Sequence, residues 1–537
     1  MKKFALTTLI IVAMISASLS FAQETQDQAT LDKVDQYRKA AKELLEKQGN
    51  MGWDSWVEGA PSNQALLYKQ YEYLFTKDAI EQTEKALNLV SDPTQKRALE
   101  YFLLYQDTEY IGDQTALLYD IYMDMEANLT CYAKPLEQFV PYRDLEYYLS
   151  TEADRQKRAD LAKCEYWAYN LFNESILKRD LDMTMRLSKE LGYPSYTDLS
   201  IAYKMFDVEE LKKAAEYILE STEIIYYDLF DEVSPIPRSE THRSDILYLL
   251  GARNFDEYFP KEKVVPAAKK FLNSLGIDLN KQKNIKLDAR DLDKKVPRAV
   301  CFSITVPTDI RVSVKPIGGK DDYSSLFHEL GHAEHYAHTT SDVWEFQQLG
   351  PNAVTETYAY LFEYIIEDPL WVKENLSMPP DVRKSYLKHS LFSKIYMMRR
   401  YAAKFLYELE LGRNPEMGQK LYQEYMSRAY GFQLTDEESL RYLSDVDPFL
   451  YSADYLQAFL LEAMLIERLE EQFGKRATGK EWWKNNKASE FLKNLWSDGN
   501  FLSGRELAII KLGYDGLDPK PLERRIEYMM TVIGSNK

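Results

Sequence analysis

Residues 299–332 read AVCFSITVPTDIRVSVKPIGGKDDYSSLFHELGH, and they contain the clearest change of pattern in the chain. Residues 299–306 and 310–315 are rich in β-branched side chains, and the second run alternates apolar with polar residues, as in a half-buried strand. The Pro-Thr-Asp sequence between the runs is typical of a turn. The stretch therefore predicts a β-hairpin, followed by a helix that Asp321 or Asp322 caps.

The rest of the chain is predicted to be helical, almost without interruption over residues 29–287 and again from residue 354 onward. Gly (21) and Pro (20) are sparse in 537 residues, so few turn residues are available for a protein of many short strands. We expect a mainly α-helical protein with a small β-hairpin beside one helix. Apolar side chains recur at three- and four-residue intervals over residues 70–90 and 94–127, which predicts long helices there. Long helices are also predicted at residues 381–411 and 453–473.

The composition excludes several classes of protein. Hydrophobic residues make up 45% of the chain and charged residues 28%, so the chain can bury a large core. A net charge of −18 argues against nucleic acid or an anionic membrane as a main partner. Three cysteines are too few for a disulfide scaffold. Cys131 and Cys164 are able to pair, but unpaired buried thiols are an equal alternative for them and for Cys301.

Residues 1–22 have the features of a secretory signal. Two lysines precede a short apolar stretch, and Ser20 and Ala22 supply the small residues of a cleavage site before Gln23. The apolar run is too short to span a bilayer comfortably. We therefore expect an exported protein, periplasmic where the cell has an outer membrane, with no membrane attachment after cleavage.

The predicted helix after the hairpin contains His328, Glu329 and His332. Two histidines four residues apart lie on one helical face, so both imidazoles can reach one tetrahedral ion. Glu329 is adjacent to the first histidine and can touch a water molecule at that ion without binding the ion itself. With six histidines in the chain, we expect such a match by chance in fewer than about 1 in 100 sequences.

A catalytic zinc site needs a third protein ligand and one open position. His335 shares the face of His328 but lies about 10.5 Å beyond it along the helix axis, too far to bind the same ion. His338 has the third-ligand spacing of the metzincin motif, but that motif needs a glycine where this chain has His335. Glu356 would reach the ion from a second helix, 24 residues after His332. We expect Glu356 to complete a site for one Zn²⁺ ion, with His338 as the alternative.

Two further carboxylates are candidates for contacts to the ligand imidazoles. Histidine ligands of zinc normally donate their second N–H to a carboxylate or carbonyl group. Glu363 is seven residues after Glu356 on the same helical face, and Asp322 lies near the start of the motif helix. For each of these two residues, the alternative is an ordinary surface carboxylate with no contact to a ligand imidazole.

These motifs resemble the oligoendopeptidase F and thimet oligopeptidase family of zinc peptidases, which are gluzincins, and more distantly angiotensin-converting enzyme. The similarity is spread over most of the chain. The segments that carry it are RAVCF at 298–302, FHELGHA at 327–333, Glu356 with Glu363, LGYPSY at 191–196 and LGYD at 512–515.

The resemblance implies a nearly all-α, two-lobed, neurolysin-like fold with a deep channel that admits unstructured peptides and excludes folded proteins. An N-terminal helical lobe over residues 23–295 and a catalytic zinc lobe over residues 296–537 would form one peptidase unit, expected to act as a monomer. The resemblance also implies one zinc ion, peptide-bond hydrolysis, and pairing of the strand at residues 299–304 with an extended substrate.

The resemblance further implies side-chain donors over the oxyanion that develops during hydrolysis. Residues 451–458 resemble the tyrosine-rich segment that supplies these donors in the family. Tyr455 is the first choice for the oxyanion donor and Tyr451 the second. The alternative is that both tyrosines only pack in the hydrophobic core. Ala458 departs from the pattern, because thimet-type enzymes have another tyrosine there, and His389 lies in a separate predicted helix.

We expect an exported zinc peptidase that cuts internal bonds of short unstructured peptides. Zinc lowers the pKa of a bound water molecule, and Glu329 accepts the proton as general base before passing it to the leaving amine. Tyr455 or Tyr451 would stabilise the oxyanion.

Three other functions compete with this prediction. A carboxypeptidase or peptidyl-dipeptidase is the main alternative and needs a cation to hold the substrate's C-terminus. A metzincin-like endopeptidase of folded proteins would use His338 as a ligand, and a helical peptide-binding protein would have no catalysis. The cations available for the main alternative are Arg311, Lys315, Arg399 and Arg400.

Overall fold

The computed structural model describes residues 2–61, 63–474 and 481–534, with side chains from residue 24 onward. Most of these residues are helical, so the mainly α class predicted from the sequence is confirmed. Short 3₁₀ and π turns connect several of the helices. The α-helices are α1 (Lys2–Glu58), α2 (Gln64–Lys69), α3 (Lys77–Leu89), α4 (Pro93–Asn128), α5 (Leu145–Thr151), α6 (Arg155–Phe172), α7 (Lys178–Glu190), α8 (Tyr196–Lys204), α9 (Val208–Ser221), α10 (Glu223–Val233), α11 (Arg243–Gly251), α12 (Val264–Ser274), α13 (Lys320–His338), α14 (Glu345–Gln348), α15 (Ala353–Glu363), α16 (Pro369–Asn375), α17 (Pro380–Leu411), α18 (Gly418–Tyr430), α19 (Tyr451–Phe473), α20 (Asn486–Trp496), α21 (Gly504–Glu506) and α22 (Lys520–Gly534).

Two small sheets accompany the helices. β1 (Thr130–Ala133) and β2 (Gln138–Pro141) form an antiparallel pair. β3 (Ile285–Asp288), β4 (Val300–Thr305) and β5 (Asp309–Ser313) form a three-stranded sheet in the order β3-β5-β4. The predicted hairpin is confirmed as the antiparallel pair β4–β5. The prediction of an almost wholly helical chain over residues 29–287 missed β1, β2 and β3, because four-residue strands are too short to show a clear alternation.

The long predicted helices are confirmed as α4, α17 and α19, with ends within two residues of those expected. The periodic pattern at residues 70–90 is instead divided into a 3₁₀ turn, Glu72–Phe75, and helix α3. Thr76 separates them, because its extended backbone ends the turn and its hydroxyl accepts a hydrogen bond from Ala79 N (3.2 Å).

The start of α13 differs from the prediction that Asp321 or Asp322 caps it. The helix begins at Lys320, and the preceding Gly319 has φ of 102°, a conformation that favours glycine. Asp322 lies inside the first turn, where its carboxylate accepts hydrogen bonds from the backbone N–H groups of Ile317 (2.7 Å) and Gly318 (2.6 Å). Asp322 therefore holds the loop that leads into the helix.

Helix α15 lies in the middle of the protein. It packs against α13 on one side and α19 on the other, and every residue from Ala353 to Phe362 is buried. Among the described residues, one helical stretch, Pro448–Phe473, is long and apolar enough to cross a membrane. Because 83% of its most apolar window is buried inside the protein, this stretch also fits a core helix.

One hydrophobic cluster runs through most of the chain. Its members extend from Phe206 to Ile533, so buried contacts connect residues on both sides of position 295. The division into lobes at 23–295 and 296–537 stays a prediction. So does the signal at residues 1–22, whose side chains lie outside the described part of the chain.

The structure decides the cysteine pairing that the sequence left open. Cys131 on β1 and Cys164 on α6 form a disulfide, with their Cα atoms 5.8 Å apart. Cys301 on β4 is a free thiol. The disulfide links the β1–β2 hairpin to the neighbouring helix, which fits the oxidising compartment expected of an exported protein.

Candidate metal centre

The two helices that carry the predicted ligands cross in very close contact. At Gly331 of α13, a Cβ atom would lie 2.4 Å from Tyr358 O and 2.6 Å from Ala359 Cα of α15. These are backbone atoms that cannot move aside, so only glycine allows this separation. Gly331 therefore brings α15 close enough for its side chains to reach those of α13, a role that the sequence motif alone does not reveal.

Three side chains converge at this crossing. His328 Nε2 and His332 Nε2 are 3.2 Å apart. Glu356 Oε2, from α15, is 3.5 Å from the first of these nitrogens and 3.9 Å from the second. One ligand atom from each residue lies within 4.8 Å of the others, so the three predicted ligands are brought together.

The donor set fits a zinc ion. Ligands about 2.0–2.2 Å from a tetrahedral ion lie roughly 3.3–3.5 Å from one another, close to the separations of these three atoms. Glu356 Oε2 is buried and has no hydrogen-bond partner among the described residues, although a buried carboxylate oxygen is costly to leave unpaired. A cation at the centre of the three atoms would satisfy it.

Both imidazoles are held by hydrogen bonds at their other nitrogen. His328 Nδ1 lies 2.8 Å from Glu363 Oε2, and His332 Nδ1 lies 2.8 Å from Thr355 Oγ1. Because a carboxylate can only accept, the neutral imidazole of His328 has its proton on Nδ1, which leaves the lone pair of Nε2 for a metal. Glu363 also accepts a hydrogen bond from Ser324 Oγ (2.9 Å). Sequence reasoning proposed Glu363 but missed Thr355, although it directly precedes the ligand Glu356.

The charges around the centre favour a positive charge between the three side chains. Burial raises the pKa of Glu356 to about 7, although His328 and a hydrogen bond from Tyr451 oppose the rise. Burial lowers the pKa of His328, but the Glu363 carboxylate outweighs this and raises it to about 9. In His332, burial and the neighbouring His328 lower the pKa well below its usual value. The carboxylates of Glu356 and Glu363 thus stabilise a positive charge at the centre.

Glu329 is half-buried beside the centre. Its Oε2 accepts a hydrogen bond from the backbone N–H of Cys301 on β4 (2.7 Å). Burial raises the pKa of Glu329, while His328 and the Cys301 N–H oppose the rise. The carboxylate is therefore fixed between the first ligand helix and the edge strand of the sheet.

The two predicted tyrosines have different positions. Tyr451 donates a hydrogen bond to Glu356 Oε1 (2.8 Å), so its hydroxyl holds a ligand carboxylate. Tyr455 is half-buried and packs edge-to-face against Tyr451 and at a tilt against Tyr401, with ring centroids 4.9 and 4.7 Å apart. Its hydroxyl makes no hydrogen bond to the described residues and is the freer donor of the two.

The other histidine and carboxylate candidates lie elsewhere. His335 is fully buried between Tyr336 and Tyr358. His338 Nδ1 lies 2.9 Å from the backbone oxygen of Glu334, and the ring packs on a tryptophan. Asp322 binds the backbone at the start of α13 and contacts neither ligand imidazole. Among the described residues the structure therefore groups Glu356, and not His338, with the histidine pair.

No model of a known protein family matches this chain, and no curated protein matches its sequence. The resemblance to the oligopeptidase family rests on the quoted motifs and stays a prediction.

Proposed function

We propose that this protein is an exported, zinc-dependent peptidase that hydrolyses internal bonds of short, unstructured peptides and acts as a monomer. The observation that carries the proposal is the convergence of His328, His332 and Glu356 with an adjacent non-ligand carboxylate, Glu329. A purely structural zinc site has four protein ligands and needs no such carboxylate.

Each group of the centre has a part in the proposed reaction. Bound zinc would polarise the scissile carbonyl group and make water more acidic. Glu329 takes a proton from the attacking water and gives it to the leaving amine, and its raised pKa suits both steps. Tyr455 donates a hydrogen bond to the oxygen on which negative charge develops. Tyr451 keeps Glu356 in place.

The edge strand β4 supports an extended peptide as substrate. The Cys301 N–H bonds to Glu329, and the Ser303 C=O accepts a hydrogen bond from Gln348 Nε2 (2.8 Å), so both residues turn their backbone groups away from β5. In an antiparallel pair, alternate residues face outward in this way. The other outward groups of these residues are Cys301 C=O and Ser303 N–H, and a substrate strand could pair with them beside Glu329, with little demand on its sequence.

Removal of residues from the C-terminus is the second candidate function, and Arg298 favours it. This arginine is exposed, has no ion pair with a described residue, and is close enough to Glu329 to influence the pKa of that carboxyl. It could bind a substrate carboxylate. The four cations suggested by the sequence are engaged elsewhere: Arg311 with Asp309, Lys315 with Leu292 O, Arg399 with backbone carbonyls and Arg400 with Asp445.

Digestion of one peptide of about 12 residues, with its C-terminus free or amidated, tests both functions. The zinc-loaded protein is incubated with each form, and the products are followed by mass spectrometry. Internal cuts that survive amidation support the endopeptidase, and successive losses from the free C-terminus alone support the second candidate. If zinc-loaded wild type cuts neither form faster than Glu329→Gln does, both are wrong, and peptide binding without cleavage remains.

A further inference from the structure

A buried ion pair lies next to the metal centre and has no part in the proposed chemistry. Lys204, the last residue of α8, has its Nζ atom 2.5 Å from Oδ2 of Asp454 in the first turn of α19. The two side chains are 2% and 0% exposed. Charges this deeply buried are tolerated only when they are held together, so the pair restricts the elements that carry it.

The pair is connected to a metal ligand through Tyr451. Lys204 Nζ lies 4.3 Å from the centroid of the Tyr451 ring, within the range of a cation–π interaction. The hydroxyl of the same tyrosine donates to Glu356 Oε1 at 2.8 Å. This hydrogen bond occupies one oxygen of Glu356 and leaves the unpartnered Oε2 facing the two imidazoles.

A second connection leads to the start of α15, the helix that carries Glu356. Asn352 precedes this helix but forms no side-chain cap. Burial raises the pKa of Asp454, while Lys204 and, after it, the backbone N–H groups of Ala353 and Asn352 lower it, so the carboxylate is close to the start of α15. Its Oδ2 accepts the hydrogen bond from Lys204, and its Oδ1 has no hydrogen-bond partner among the described residues. The carboxylate of Asp454 thus lies near the positive end of the dipole of α15, where a negative charge is favoured.

We propose that Lys204 and Asp454 are positioning residues of the metal centre. They hold Tyr451 and the first turn of α15 so that Glu356 presents its free oxygen to the ion. This inference rests on the metal site of the proposed function but does not depend on peptidase activity. Since α8 precedes position 295 and α19 follows it, the pair also connects the two predicted lobes at the metal centre.

Metal affinity tests the inference directly. The zinc dissociation constant is measured by competition with a chromophoric chelator, and the visible spectrum is recorded with Co²⁺ in place of zinc. Lys204→Met and Tyr451→Phe should each raise the dissociation constant at least about tenfold, the usual effect of losing a partner of a ligand, and should change the cobalt spectrum. Lys204→Arg keeps the charge and should restore most of the affinity.

The control is a buried ion pair of similar exposure at another place. Arg243 and Glu165 are 2.7 Å apart, with side chains 6% and 5% exposed. Arg243→Met should therefore lower stability and leave both the zinc dissociation constant and the cobalt spectrum unchanged. A merely structural role for Lys204 predicts that Lys204→Met behaves in the same way, and that result overturns the inference.

The double variant shows whether Lys204 acts through Tyr451. If it does, Lys204→Met with Tyr451→Phe should weaken zinc binding little more than the stronger single change, while additive losses contradict this connection.

Asp454→Asn, which keeps the shape of the side chain, tests the inference if Lys204→Met does not fold. Unchanged zinc affinity in Asp454→Asn overturns the inference. If the protein binds zinc tightly and its affinity depends on these residues as described, but it cleaves no peptide, only the proposed function is contradicted.

Discussion

Gly331 of α13 contacts the backbone of Ala359 on α15 so closely that a Cβ atom at position 331 would lie 2.6 Å from Ala359 Cα. This contact sets the separation of the two helices that carry all three candidate ligands. The metal centre therefore depends on the absence of a side chain as much as on the side chains that form it.

Gly331→Ala should weaken zinc binding and destabilise the protein by about 1–3 kcal/mol or more, because the helices must move apart. Gly112→Ala is the matched control. Gly112 is also inside a helix, but a Cβ there would meet no atom within 4 Å, so this change should stabilise by about 0.5–1 kcal/mol. Chemical unfolding and zinc titration of both variants check the prediction, and equal behaviour of the two would contradict it.

Thr355→Val should raise the zinc dissociation constant by about 10–100-fold, because it removes the hydroxyl that holds Nδ1 of His332. Thr357→Val is the control on the same helix. Its hydroxyl donates to Ala353 O (2.7 Å) and contacts no ligand, so zinc affinity should stay as in wild type. A similar loss in both variants would show that the effect comes from the helix and not from His332.

Glu356→Ala and His338→Ala distinguish the two candidates for the third ligand. Removal of Glu356 takes away one of three protein ligands and should strongly reduce the zinc content of the purified protein. His338 lies against the backbone of Glu334, so its removal should leave the zinc content unchanged. Elemental analysis measures both, and the opposite pattern would favour the metzincin-like arrangement.

Glu329→Gln should lower the rate of peptide hydrolysis by about 10²–10⁴-fold and leave zinc bound. The amide has the size of the carboxylate, and its oxygen can still accept the hydrogen bond from Cys301 N, but it cannot take up a proton in the reaction. Rates and zinc content are measured on the same samples. Activity within a few-fold of wild type would exclude Glu329 as the general base.

His335 should make the folded protein sensitive to acid. Burial lowers its pKa to about 4, against about 6.5 in an unfolded chain, so between these pH values the unfolded state binds the extra proton. The contribution of His335 to the free energy of unfolding is thus present above pH 6.5 and lost as the pH falls towards 4, by ~3 kcal/mol in total.

Replacement of His335 by leucine removes this titration. Unfolding by denaturant at pH 7 and pH 4.5, with a chelator present in every sample, should show a smaller loss of stability for His335→Leu than for wild type. An equal loss in the two proteins would mean that His335 does not titrate in this range.

Local patterns determined much of this protein. The spacing of His328 and His332 places both on one face of any helix, and the alternation at residues 310–315 indicates a strand, which the structure has as β5. These features depend only on neighbours within one or two turns of chain, and the sequence contains all the necessary information. The same is true of the long helices α4, α17 and α19.

The tertiary structure decided which distant residues meet. It placed Glu356 rather than His338 beside the two imidazoles, joined Cys131 to Cys164, and turned the Tyr451 hydroxyl towards Glu356. Residues far apart in the chain come together according to how closely their helices pack. Here that packing depends on contacts such as the one at Gly331, which no local pattern shows.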